Sequence, residues 1–215
     1  LRINLPVARN LAEAALRFGR GALQHRWNTT WAFDRHSLRA GELIAALPRQ
    51  PDVILQAGAL FAPGLPPPGR YVLLLDNTRA LAMERPAEPS VGLAAPPDYG
   101  SAWRLRERSV YRGAWAIGTF SARVCRSLER DYGVAPGRAQ VVGAGANLMP
   151  ERVVRRDDGE TILFVGTRWD LKGGPVLARA FERIRRRRRN ARLVVIGPRR
   201  RPALPEGATW LGFVP

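Results

Sequence analysis

The sequence holds 35 Lys and Arg residues, and a single one of them, Lys172, is lysine. It lies in the segment Phe164-Val165-Gly166-Thr167-Arg168-Trp169-Asp170-Leu171-Lys172-Gly173-Gly174. Arginine is a planar fork, whereas lysine is a flexible point charge that can reach a phosphate oxygen. The apolar run Thr161 to Val165 predicts a buried strand, a glycine-containing turn follows it, and Pro175 opens a helix. A cation at such a junction describes an anion site at a helix N-terminus. The plainer account of a solitary lysine is chance survival under Arg-biased codon usage, and spacing alone leaves both readings open.

Other constellations carry less. Gly143-Ala144-Gly145 follows a strand-like run, but a dinucleotide fingerprint needs a third glycine at position 148, which is Leu148. Pro150 and a charged stretch follow in place of a helix, so that reading is rejected. Asp157-Asp158 stands beside Arg155 and Arg156 without a histidine or a third carboxylate, and reads as a solvated charge cluster rather than a metal site. His25 and His36 sit among Trp27, Trp31 and Phe33 without ligand spacing or acidic companions. No Ser/His/Asp set or nucleophile elbow can be assembled. Cys125 is the only cysteine, which excludes an intrachain disulfide and a cysteine-based metal cage.

These groups need elements to position them. Val7, Leu11, Ala14, Ala15, Phe18, Ala22 and Leu23 recur at helical spacing and predict one amphipathic helix. Ser37 reads as the start of a second helix through Leu38, Leu43 and Ile44, ended by Pro48. Strands are expected at 52–57, 71–75, 114–119, 140–142, 161–165, 192–196 and 209–211. Helices are expected at 101–111, from Ser121 to a stop at Gly133, and at 176–187, with a long Pro-rich loop over 84–97.

The apolar runs lack polar alternation and are separated by helices, which indicates parallel strands covered on both faces. The class is therefore α/β, with two Rossmann-like domains: residues 1–147, a linker at 148–159 and residues 160–215. Both domains are expected to be truncated, because the ends read as cut from a longer chain.

The chain has 215 residues, 46% of them hydrophobic, so a core is within reach and wholesale disorder is disfavoured. No apolar run approaches the roughly 18 residues of a spanning helix. The formal charge of +17 favours anionic partners: nucleic acid, acidic headgroups or phosphorylated small molecules. The run Arg185 to Arg189 falls at the end of a helix, where cations oppose the dipole and face water. Aromatics do not interleave with it, so single-strand nucleic acid is the disfavoured partner. A reducing cytoplasm suits the lone cysteine.

Taken in order, the second half resembles the donor half of GT-B glycosyltransferases of family 4 (group 1). Gln140-Val141-Val142 with Gly145-Ala146-Asn147 is similar to the strand and turn that close the family's first domain. Leu163-Phe164-Val165-Gly166 through Lys172-Gly173-Gly174 is similar to the opening of its second. Phe181 with 191–197, and then Trp210-Leu211-Gly212-Phe213-Val214, resemble the segments that come next.

The resemblance implies a nucleotide-sugar co-substrate, no resident cofactor or metal, and retention of anomeric configuration. An Arg and a Lys of the opening motif would hold the donor diphosphate, between the two domains. Lys172 keeps the family's interval from Gly166, with Gly173 beside it; Thr167 occupies the usual Arg place and Arg168 comes one later. Asn147 and Asp76 are placed at the same cleft, Asp76 with no role as a base. The family's glycine-rich acceptor loop would precede Leu1 and its paired glutamates would follow Pro215, so this segment alone is expected to lack turnover. The implied acceptor is a glycan or a lipid-linked glycan, and the implied location is cytoplasmic, with contact to the inner face of an anionic membrane through the basic surface and early helix. Two other functions stay open from the residues: a basic nucleic-acid-binding module, and a sugar-nucleotide-binding domain without catalysis.

Overall fold

The computed structural model describes residues 7–67, 69–85, 87, 95–145 and 158–214. Asn147, Leu148, Pro150, Asp157 and most of the expected linker lie outside the described residues. The chain divides into two compact units, Leu1–Arg85 with Pro96–Ala146, and Pro86–Ala95 with Asn147–Pro215.

Each unit is built on its own parallel sheet. In the first, β1 (Ile54–Ala57), β2 (Tyr71–Leu75), β3 (Ala116–Thr119) and β4 (Ala139–Val141) lie side by side in chain order. In the second, β5 (Thr161–Val165), β6 (Arg192–Ile196) and β7 (Ala208–Gly212) do the same. The expected runs at 71–75, 161–165 and 192–196 coincide with β2, β5 and β6. The fold is thus α/β with parallel strands, consistent with a Rossmann-like build.

The helices are α1 (Val7–Phe18), α2 (Ala22–His25), α3 (Thr30–Ala45), α4 (Arg79–Met83), α5 (Ser101–Gly113), α6 (Ala122–Tyr132) and α7 (Gly174–Arg187). Among the described residues none is long and apolar enough to cross a membrane. Phe33 of α3, Leu81 of α4, Trp103 and Tyr111 of α5 and Leu128 of α6 bury against Leu73, Leu75 and Ile117. In the second unit Phe181 of α7 buries against Phe164, Leu193 and Val195.

The strands were expected to be covered on both faces, and this is corrected. Leu163, Val165 and Leu211 point away from α7 and are 59, 68 and 55% exposed, and Leu55 of β1 is 71% exposed. Topology explains it. Strand order follows chain order in both sheets, and the described helices that join strands, α4, α5 and α6 in the first unit and α7 in the second, all add side chains to the buried core. Apolar residues occupy the open face too, so alternation does not reveal it.

The start of the chain also differs from expectation. The single early helix breaks at Gly19–Gly21, a short 3-10 turn, and Leu16 and Leu23 are left 91 and 68% exposed. The inward side of α1 mixes the buried Ala14 with two polar residues, Asn10 and Glu13, that reach the start of α3. Asn10 Oδ1 accepts the buried Thr29 hydroxyl (2.9 Å), and the Glu13 carboxylate accepts the Thr30 amide (3.1 Å) and hydroxyl (2.9 Å).

Those contacts frame the true start of α3, which begins seven residues before Ser37. Thr29 is its N-cap, accepting from the Ala32 amide at 3.1 Å. Ser37 instead lies inside the helix, buried, donating to Phe33 O (2.7 Å) and accepting the Ala62 amide (2.8 Å). Ser37→Ala should therefore leave that buried amide unpaired and destabilise the first unit by about 1–3 kcal/mol in a urea melt.

Candidate anion-binding site

The five strand–turn–helix residues singled out in the second half, Gly166, Thr167, Arg168, Lys172 and Gly173, all belong to the connection between β5 and α7. β5 ends at Val165, and the Gly166 amide donates to Ile196 O (2.9 Å), extending the ladder one residue past the strand. The chain then reverses through three overlapping backbone bonds. The Lys172 amide reaches Arg168 O (3.0 Å), Gly173 reaches Asp170 O (3.3 Å) and Gly174 reaches Trp169 O (2.9 Å). Gly173, the N-cap of α7, sits at φ 79°, a left-handed conformation that disfavours a side chain.

Trp169 plugs this turn from below. Its ring meets Phe164 edge-on (4.9 Å) and packs on Gly174, where an added Cβ would lie 2.1 Å from the indole. Gly174 is thus as constrained as Gly173, by contact rather than by dihedral.

The helix end offers fewer amides than a bare helix N-terminus does. The Gly174 N–H is engaged by Trp169 O, and Pro175 has none. Anion binding here must therefore come mainly from side-chain cations. Arg168 and Lys172 are exposed, and among the described residues neither has an ion-pair partner.

The two cations are not equivalent. Arg168 and Thr167 line an open concavity of about 500 Å³ together with Trp169, Asp170, Leu171, Pro198, Arg199 and Arg200. Lys172 does not line it; its stem lies over Gly166, whose added Cβ would meet Lys172 Cγ at 3.3 Å. Arg199 and Arg200, in the loop after β6, are the residues that sequence reasoning missed. They stand in the run Arg199 to Arg201, to which no role was given, although their position directly after a strand and Gly197-Pro198 was a usable signal.

Asp158, read as part of a solvated pair, has a defined structural task. It accepts the Glu160 and Thr161 amides (2.9 and 2.8 Å) and pairs with Arg192 (2.9 Å), which closes the turn into β5. These donors hold its carboxyl far below the ordinary range, the Thr161 hydroxyl foremost.

Asp76 belongs to the first unit, exposed at the end of β2. The loop behind it is fixed by a buried polar network. Glu107, 5% exposed, accepts the Tyr111 hydroxyl (2.8 Å), the Tyr132 hydroxyl (2.7 Å) and the Arg79 amide (3.1 Å). Tyr132 in turn accepts the Ala80 amide (2.9 Å), and Thr78 Oγ1 caps Leu81 (3.2 Å), so the start of α4 is pinned. Burial raises the Glu107 carboxyl, only partly offset by these donors.

His25 and His36 are packed against rings, His25 on Phe18 (5.4 Å) and His36 on Trp27 (5.5 Å). Burial lowers both imidazoles.

No protein-family model matches the chain, and a search of curated proteins returns no match either.

Proposed function

We propose that the β5–α7 turn binds the diphosphate of a nucleotide-sugar donor and that the chain serves glycosyl transfer of the GT-B family 4 kind. One observation carries this reading. Where β5 gives way to α7, at the start of a helix, the turn presents two exposed cations, Arg168 and Lys172, neither of which has an ion-pair partner among the described residues.

The chemistry is electrostatic. Departure of a nucleoside diphosphate concentrates negative charge on its terminal phosphate, and prepositioned cations stabilise that charge as it develops. The sugar would pass, with retention and without a resident cofactor or metal, to a glycan or lipid-linked acceptor. We place the reaction in the cytoplasm, at the inner face of an anionic membrane that the net charge of +17 would attract.

Titration calorimetry with ADP, GDP and UDP tests this. Arg168→Ala and Lys172→Ala should each remove a charge-assisted contact, about 1.5–3 kcal/mol, and so weaken binding roughly tenfold to a hundredfold. Tight, salt-steep binding of an oligonucleotide that ignores both substitutions would favour a nucleic-acid module instead.

A further inference from the structure

Guanidinium groups reach the 500 Å³ concavity from two loops rather than one. Arg168 comes from the β5–α7 turn, and Arg199 and Arg200 come from the loop after β6. We infer that Arg199 and Arg200 form a second arm of the anion site, so that the second unit grips a polyanion of pyrophosphate type from both sides. The identification of that polyanion as a nucleotide's diphosphate rests on the reading proposed above.

Three features build the arm. First, the two loops are locked together. Gly197 approaches the Gly166 backbone so closely that a Cβ on Gly197 would lie 2.7 Å from Gly166 C, and its amide donates to Gly212 O at 2.7 Å. Second, the loop after β6 is anchored to β7, where the Trp210 indole N–H donates to Pro198 O at 3.0 Å. Third, Arg199 is steered by the Phe213 ring, with its guanidinium carbon 4.8 Å from the centroid. A side chain held this way has lost part of its rotamer freedom before a ligand arrives.

The charge balance also points to an anion. Three arginines line the concavity against one carboxylate, Asp170, and among the described residues none of these arginines has an ion-pair partner. Arg forks suit the bidentate recognition of phosphate oxygens. Arg199 and Arg200 therefore act as ligands of the phosphoryl groups, and Lys172 as a point charge at the flank.

Calorimetric titration of the chain with inorganic pyrophosphate, and separately with ADP, GDP and UDP, tests the arm, with circular dichroism confirming that each variant is folded. Arg199→Ala and Arg200→Ala should each weaken pyrophosphate binding about tenfold. Arg187→Ala, which removes the same charge at the far end of α7, should stay within about twofold. Unchanged affinity in Arg199→Ala and Arg200→Ala, with Arg168→Ala still impaired, would overturn the arm and leave the diphosphate reading standing. An equal loss in Arg187→Ala would mark diffuse attraction by a highly basic chain and also overturn it. Arginine-dependent binding of pyrophosphate without any nucleoside diphosphate binding would support the arm and overturn the nucleotide reading. No binding of either probe would overturn both.

Discussion

Glu107→Ala should destabilise the first unit by about 3–5 kcal/mol, because it strands two buried hydroxyls and an amide at once. The donors at risk are the Tyr111 and Tyr132 hydroxyls and the Arg79 N–H. Guanidinium unfolding followed by far-UV circular dichroism measures the loss. A change below about 1 kcal/mol would show that these groups find other partners, and the network would then be dispensable.

Glu107→Gln separates charge from shape. Burial raises the folded carboxyl above its unfolded value of 4.5, so the folded state holds the proton over the interval between the two. The unfolded state then binds fewer protons, and this group's contribution falls as pH rises from 4.5 through the folded value. Gln does not titrate. The stability of the parent relative to Glu107→Gln should therefore decline between acid and neutral pH. A relative gain with rising pH would mean that hydrogen bonding outweighs desolvation at this carboxyl.

Gly197→Ala is the second large effect, about 2–4 kcal/mol from combined strain and overpacking. The residue sits at φ 113°, and an added Cβ would press on backbone rather than on a movable side chain: 2.7 Å from Gly166 C and 2.8 Å from its O. Gly137→Ala provides the control, since Gly137 has φ 82° with nothing within 4 Å of the added atom. That variant should lose only about 1–2 kcal/mol, the cost of the left-handed conformation. Gly197→Ala should also blunt pyrophosphate binding, because it pushes the two arginine-bearing loops apart. Equal melting shifts in the two variants, with binding intact, would show that the close approach is unimportant.

Strand positions were legible where apolar runs were bounded by breakers, as at 71–75 and 161–165. The turn between Gly166 and Gly174 was legible for the same reason, with glycines and a proline marking both ends. Ser37 misled because a hydroxyl that begins helices also bonds back to the preceding turn inside them. Helix α4 was hidden, since five residues carry too little periodicity to stand out before a Pro-rich stretch. The open sheet faces were hidden by composition: Leu163 and Val165 have the chemistry of buried residues and 59 and 68% exposure. The arginine loop was hidden by abundance. In a chain so rich in arginine, the two that share a concavity with Arg168 look like all the others until the ends of β5 and β6 are brought side by side.

The monotonic strand order has a consequence for biosynthesis. Among the described residues, each strand pairs within its sheet with the strand next to it in chain order. The described strands of each sheet can therefore be laid down one at a time, in the order the ribosome delivers them.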